Sequence, residues 1–191
     1  MATFTQQTTT TSLLLSLPNS VSSAFLESIS PEMQLLTPLK MIKKNREKEL
    51  KLMNRVGGML MEQGRLEKAE TLYRRALAGF EDLLDVDHPY TLTLAKNLGS
   101  LLQDQGKLEE AEPLYRRALA GCERVLGVDH PDTLSSVNSL ALLLYSQGKL
   151  DEVEPLLQRA FEGFERVLGS DHEDTQNAAY GLKFVTSELR A

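Results

Sequence analysis

A 42-residue pattern runs three times in tandem from Gly64 to Leu189. Gly64, Gly106 and Gly148 keep that spacing, as do His88, His130 and His172. Residues 64–105 match residues 106–147 at 25 of 42 positions, and residues 106–147 match 148–189 at 20 of 42. Chance composition does not produce matches of this density. A chain built this way folds as a stack of one supersecondary unit, because each copy must bury its apolar face against its neighbours.

Within a copy the apolar residues fall at helical spacing. Leu108, Ala111, Leu114, Tyr115, Ala118, Leu119, Cys122 and Leu126 are three or four residues apart and form one stripe over residues 108–126. Glu109, Glu110 and Glu112 stand at its start and Arg124 at its end, which is the order the helix dipole favours. Gly106 supplies a stop for the helix before it. Gly127-Val128-Asp129-His130-Pro131-Asp132-Thr133 then interrupts the stripe. Pro131 has no amide hydrogen to lose at a first helical position, so a second helix is expected from it through Leu134, Val137, Leu140, Ala141 and Leu144 to about Gln147-Gly148.

Small residues recur where such helices cross. The middle unit places Gly99, Gly106, Ala111, Tyr115 and Ala118 at the positions where the tetratricopeptide repeat has a small residue, Gly, Ala, an aromatic and Ala. The first unit places Gly57, Gly64, Ala69, Tyr73 and Ala76 there. The third keeps Ala141, Gly148 and Ala160 but departs with Val153 and Leu157, which predicts a looser final pair. The chain therefore resembles the tetratricopeptide repeat family. Its 42-residue period, with Gly-Lys-Leu-Glu-Glu-Ala-Glu-Pro-Leu-Tyr at 106–115 and Asp-His-Pro-Asp-Thr at 129–133, is similar to the repeats of kinesin light chain.

The resemblance implies an all-α, right-handed superhelical array of antiparallel helix pairs, with three pairs and a C-terminal capping helix. Units are expected at about 50–88, 89–130 and 131–172, with the cap at 173–189, inside a helical domain of residues 40–191. In the cap, Ala179 and Leu182 are expected to face inward. Lys183 takes the small-residue position and Thr186 a large apolar one. A buried lone Lys is costly, so this helix is expected to close the stack with a polar side.

It further implies a concave groove lined by the first helix of each pair, and no catalytic chemistry. At the family's groove-facing positions this chain carries Asn54, Arg55, Lys96, Asn97, Ser100, Gln103, Asn138, Leu142 and Tyr145. Asn donates and accepts at once and suits an extended main chain, whereas Lys and Arg add charge-assisted bonds. The third unit has Ser135 and Ser139 where a full basic clamp would continue, which speaks against chaperone-tail specificity. The expected partner is a protein or peptide, with the chain as scaffold or adaptor in a larger assembly. The alternative is a cargo adaptor of a microtubule motor, of the kinesin light chain kind. Residues 1–39 show no sustained heptads for motor attachment.

Other chemistries find little footing. The three His residues are 42 apart, whereas zinc ligands lie two to five apart in pairs, so each is read as a helix cap. Cys122 takes the slot of Phe80 and Phe164 and is read as an inert core residue. No phosphate loop, nucleophile triad or metal cluster is legible, and no cofactor is expected. The charge is −6, against nucleic acid as a main partner. No apolar run approaches the length of a membrane span.

That charge is uneven: residues 40–55 carry +5 and residues 56–191 carry −9. Residues 1–30 hold 13 Ser or Thr and no base. Residues 1–39 are read as a disordered tail of a cytoplasmic protein. The alternative is a chloroplast transit segment, although its lack of Arg departs from that type.

Overall fold

The computed structural model describes residues 31–189, with side chains from Lys40 to Glu188. The tail or transit reading covers residues 1–39. Of these, residues 1–30 lie outside the described residues, whereas 31–39 are helical and open the first helix rather than belonging to a tail. Among those described there are seven helices: α1 (Pro31–Glu62), α2 (Leu66–Leu83), α3 (Pro89–Asp104), α4 (Leu108–Leu126), α5 (Pro131–Ser146), α6 (Leu150–Leu168) and α7 (Glu173–Leu189). The chain divides into two units, Met1–Glu49 and Leu50–Ala191. The second holds the repeats.

The bounds of α4 and the start of α5 are those read from the sequence, and the arrangement is an all-α helical repeat array. Consecutive helices from α2 to α7 pack on one another. Turns within pairs close at glycine. Gly106 has φ +74, its N–H reaches Gln103 O at 2.9 Å, and Lys107 N–H reaches Leu102 O at 2.8 Å. This crossed pair of bonds satisfies the last carbonyls of α3 and needs a left-handed residue. Gly64 and Gly148 repeat it at φ +70 and +73.

Turns between pairs close on the recurring His and Thr, three residues apart in each unit. His88, His130 and His172 each accept a backbone N–H two residues on at Nδ1, at 3.1 to 3.2 Å. The His residues therefore cap α3, α5 and α7. Buried Thr133 donates from Oγ1 to Gly127 O at 2.8 Å, and Thr175 does the same to Gly169 O. These bonds pin each loop to the helix it introduces.

One core runs through the stack. Tyr73 and Tyr115 are 3% exposed and lie in it, as does Cys122 at 7%. Gly57 and Gly99 admit the two rings: a Cβ on Gly57 would stand 2.8 Å from Cε1 of Tyr73. In α7 the inward register departs from expectation at one residue. Ala178 and Val185 are buried and half-buried Leu182 packs against the core as expected, whereas Ala179 is only half-buried. The buried residues Ala178 and Val185 stand at the repeat positions of buried Leu94 and Leu101 in α3, and α7 packs on α6. Lys183 is exposed, and Thr186 Oγ1 donates to Leu182 O at 2.8 Å.

Candidate functional site

The first helices of the pairs are joined at polar positions. Asn97 Nδ2 of α3 donates to Asn54 Oδ1 of α1 at 3.1 Å. Lys96 Nζ donates to Ser135 Oγ of α5 at 3.3 Å. Tyr145 Oη of α5 donates to Glu188 Oε2 of α7 at 2.9 Å, and its ring meets Phe184 edge-on at 5.9 Å. The carboxylate that accepts from Tyr145 pushes its phenol pKa up.

The nine residues singled out above separate into two groups. Asn54 and Asn97 bond one another and are half-buried, and that bond leaves three amide N–H donors and three carbonyl lone pairs between them. Arg55 is exposed beside them. Lys96 turns toward Ser135 and lines a cavity of about 150 Å³ with Cys122 and Asp132. Gln103 accepts from the Tyr115 hydroxyl at 3.3 Å, and Ser100 is half-buried one turn before Gln103. Burial pushes the Cys122 thiol pKa up, which keeps it protonated and unreactive.

Asn138, Leu142 and Tyr145 come together in a cleft of about 390 Å³. Tyr180, Phe184 and Leu157 complete its wall. Leu142, Tyr180 and Phe184 are 48%, 74% and 44% exposed, so the wall is apolar and open to solvent. Its origin is a sequence departure. In the first two units a tyrosine of the second helix fills the space over Gly57 or Gly99, whereas the third unit has Leu157 and Ala141 at the corresponding positions, and both line the cleft. Leucine lacks the reach of a phenol, and the space stays open. Phe184 was not among the candidates, although it stands 42 residues after Leu142 and so shares its groove-facing position.

The second helices carry a feature the sequence reading did not isolate. Glu112 of α4 receives Lys149 at 2.6 Å and Arg116 at 2.8 Å, and Gln147 at 3.0 Å. Glu70 receives Lys107 and Arg74 in the same way, both at 2.8 Å. Arg74 also reaches Glu110 of the next unit, and Arg116 reaches Glu152. Each repeat is thereby tied to the next by ions 36 or 37 residues apart. The period placed acids and bases on these helices, but pairing across units needs their separation in space.

A family model described as Tetratricopeptide repeat matches residues 49–121 and 92–166. No curated protein matches the chain. Among solved structures, BtubC (BKLC) from P. vanneervenii is 23% identical with a TM-score of 0.67, over 72% of this chain and 55% of that one. Nearly identical TPR-like repeats assigned to a kinesin light chain of Podosopora anserina are 22% identical, with a TM-score of 0.68, over 73% and 66%. The first TPR of Spaghetti bound to an HSP90 peptide is 17% identical, with a TM-score of 0.55, over 76% and 96%. The likeness is one of fold, and this chain spans 55% and 66% of the first two chains' lengths.

Proposed function

The chain belongs to the tetratricopeptide repeat family, and from that premise we propose that its repeats form a non-catalytic module that holds a peptide segment of another protein. The peptide lies along the face made by α1, α3, α5 and α7. The cleft among Leu142, Tyr145, Tyr180 and Phe184 takes an apolar side chain. Open aromatic surface with a few convergent polar groups is the usual makeup of a ligand site, and this cleft is the observation that carries the reading. Asn138 at its margin addresses the ligand main chain, as do the remaining donors and acceptors of Asn54 and Asn97. Arg55 and Lys96 stand toward the α1 end and Glu188 beside the cleft. That charge order favours a ligand with its acidic or carboxylate end toward α1.

The test is selection of binders from a displayed peptide library against the full chain, followed by titration of a selected peptide. Enrichment of an aromatic or aliphatic anchor is expected. Tyr180→Ala, and Lys96, Asn97 and Asn138 changed together to Ala, should each abolish capture at unchanged helicity. Undiminished binding by these variants would overturn the site. A motor-adaptor role uses the same face and draws on the likeness to kinesin light chain repeats. Co-elution of the chain with a motor stalk on size exclusion would support it, and separate elution would reject it.

A further inference from the structure

Leu52, Val56 and Met59 form a stripe along α1 and are 57%, 36% and 58% exposed. One repeat on, the same positions hold Leu94, Leu98 and Leu101, none more than 1% exposed. A further repeat on they hold Ser136, Leu140 and Leu143, none more than 2%. At those interior joints the second helix of the preceding pair supplies the cover. Ser136 Oγ lies 3.8 Å from Cys122 Sγ of α4, and Phe80 of α2 stacks on Tyr90 of α3 at 5.9 Å. The stripe on α1 has the spacing and apolar character of a helix-packing seam.

We propose that this face of α1 is a docking site for an acidic amphipathic helix of a partner protein, laid where a preceding second helix lies at the interior joints. The edge charges specify the acidity. At an interior joint the covering helix offers Glu70 and Arg74, four residues apart, to Lys107 and Glu110 of the next unit. The following joint repeats this with Glu112 and Arg116 against Lys149 and Glu152. In the first unit the two receiving positions are Arg65 and Lys68, both exposed. The acid of each interior joint is thus replaced by a base at the end of the array. A helix that complements it carries an acid at both positions, with one turn between them and an apolar stripe alongside. A helix like α2, with Arg at the second position, meets Lys68 with like charge.

The probe is a fluorescent peptide of residues 66–83 carrying R74E, titrated into the full chain and followed by anisotropy. Saturable binding is expected. The native-sequence peptide should bind about threefold more weakly, the scale of an exposed ion pair. Val56→Asp and Met59→Glu, made singly and checked for unchanged helicity, should each weaken binding about tenfold, because they place charge in the seam. Arg65→Glu with Lys68→Glu should reverse the preference between the two peptides. Tyr180→Ala should leave binding unchanged, which separates this face from the peptide cleft. Absent binding, or binding indifferent to Val56→Asp, overturns the proposal. So does a chain whose sedimentation shows self-association lost in Val56→Asp, since the occupant is then a second copy. So does binding seen only after residues 1–30 are removed, since the occupant is then the chain's own segment.

Discussion

Leu92 lies over Gly121, so close that a Cβ built on Gly121 overlaps the Leu92 side chain. Leu50 over Gly79 and Leu134 over Gly163 repeat the contact, each a first helix pressed onto a glycine in the C-terminal third of the second. Glycine lowers intrinsic helix stability, yet here it sets how near the two axes come. Leu92 is 1% exposed and also borders the cavity beside Lys96 and Cys122, so any relief of the overlap must come from its side chain turning toward that space.

Gly121→Ala is therefore expected to destabilise the fold. Overpacking of this kind costs about 1–3 kcal/mol, more than the gain of about 1 kcal/mol from replacing a helical glycine. Urea unfolding measures it. Leu92→Ala in the same chain should relieve the overlap, so the double variant should be more stable than the sum of the single losses predicts. Strict additivity would show that the contact does not govern the pair.

Acid should loosen the joints between repeats. Lys149 chiefly, with Arg116 and Gln147, holds the Glu112 carboxyl at about 2, and Lys107 and then Arg74 hold Glu70 at about 2, against an ordinary value of 4.5. A carboxyl held lower in the folded than in the unfolded chain stabilises above pH 4.5, and that stabilisation is lost as pH falls toward 2. Glu112→Gln should lower the urea midpoint at pH 7 and converge on the parent near pH 2. A gap that stays constant across this window would exclude the linkage.

Loop capping by histidine predicts a selective pattern at residue 130. His130→Ala removes the acceptor for Asp132 N–H, and loss of a helix cap costs about 0.5–2 kcal/mol. His130→Asn keeps an acceptor and should retain most of that stability. Thermal unfolding of the two variants side by side distinguishes capping from simple loss of bulk.

The cleft should close when the third unit is made like the second. Ala141→Gly with Leu157→Tyr recreates the arrangement at Gly99, where a Cβ would stand 3.2 Å from Cε2 of Tyr115. The ring should fill the space beside Leu142 and Phe184. Peptide capture should fall at least about tenfold if one apolar anchor supplies the usual 1.5–3 kcal/mol, with the far-ultraviolet spectrum unchanged. Retained capture would move the anchor elsewhere on the face.

Several details were legible along the chain because their causes are local. Pro131 starts α5, Gly106 and Gly148 end helices with positive φ, and His130 caps. Cys122 is buried because its stripe partners are three and four residues away. The candidate site was legible only in part. Asn138, Leu142 and Tyr145 were found by position and do share a cleft. Asn54 and Asn97 are engaged with each other, and Lys96 with Ser135, which position alone does not show.

The order of amino acids by itself determined the repeat, the helices, their turns and the apolar stripe of each, since propensity, capping and periodicity act within a few residues. Tertiary structure decided what residues about 36 to 43 apart do together. It chose the ion pairs between Glu112 and Lys149, the register of Ala178 and Val185 in α7, and the opening left by Leu157. Those outcomes depend on distances between helices, and such distances follow from volumes and charges meeting across a joint.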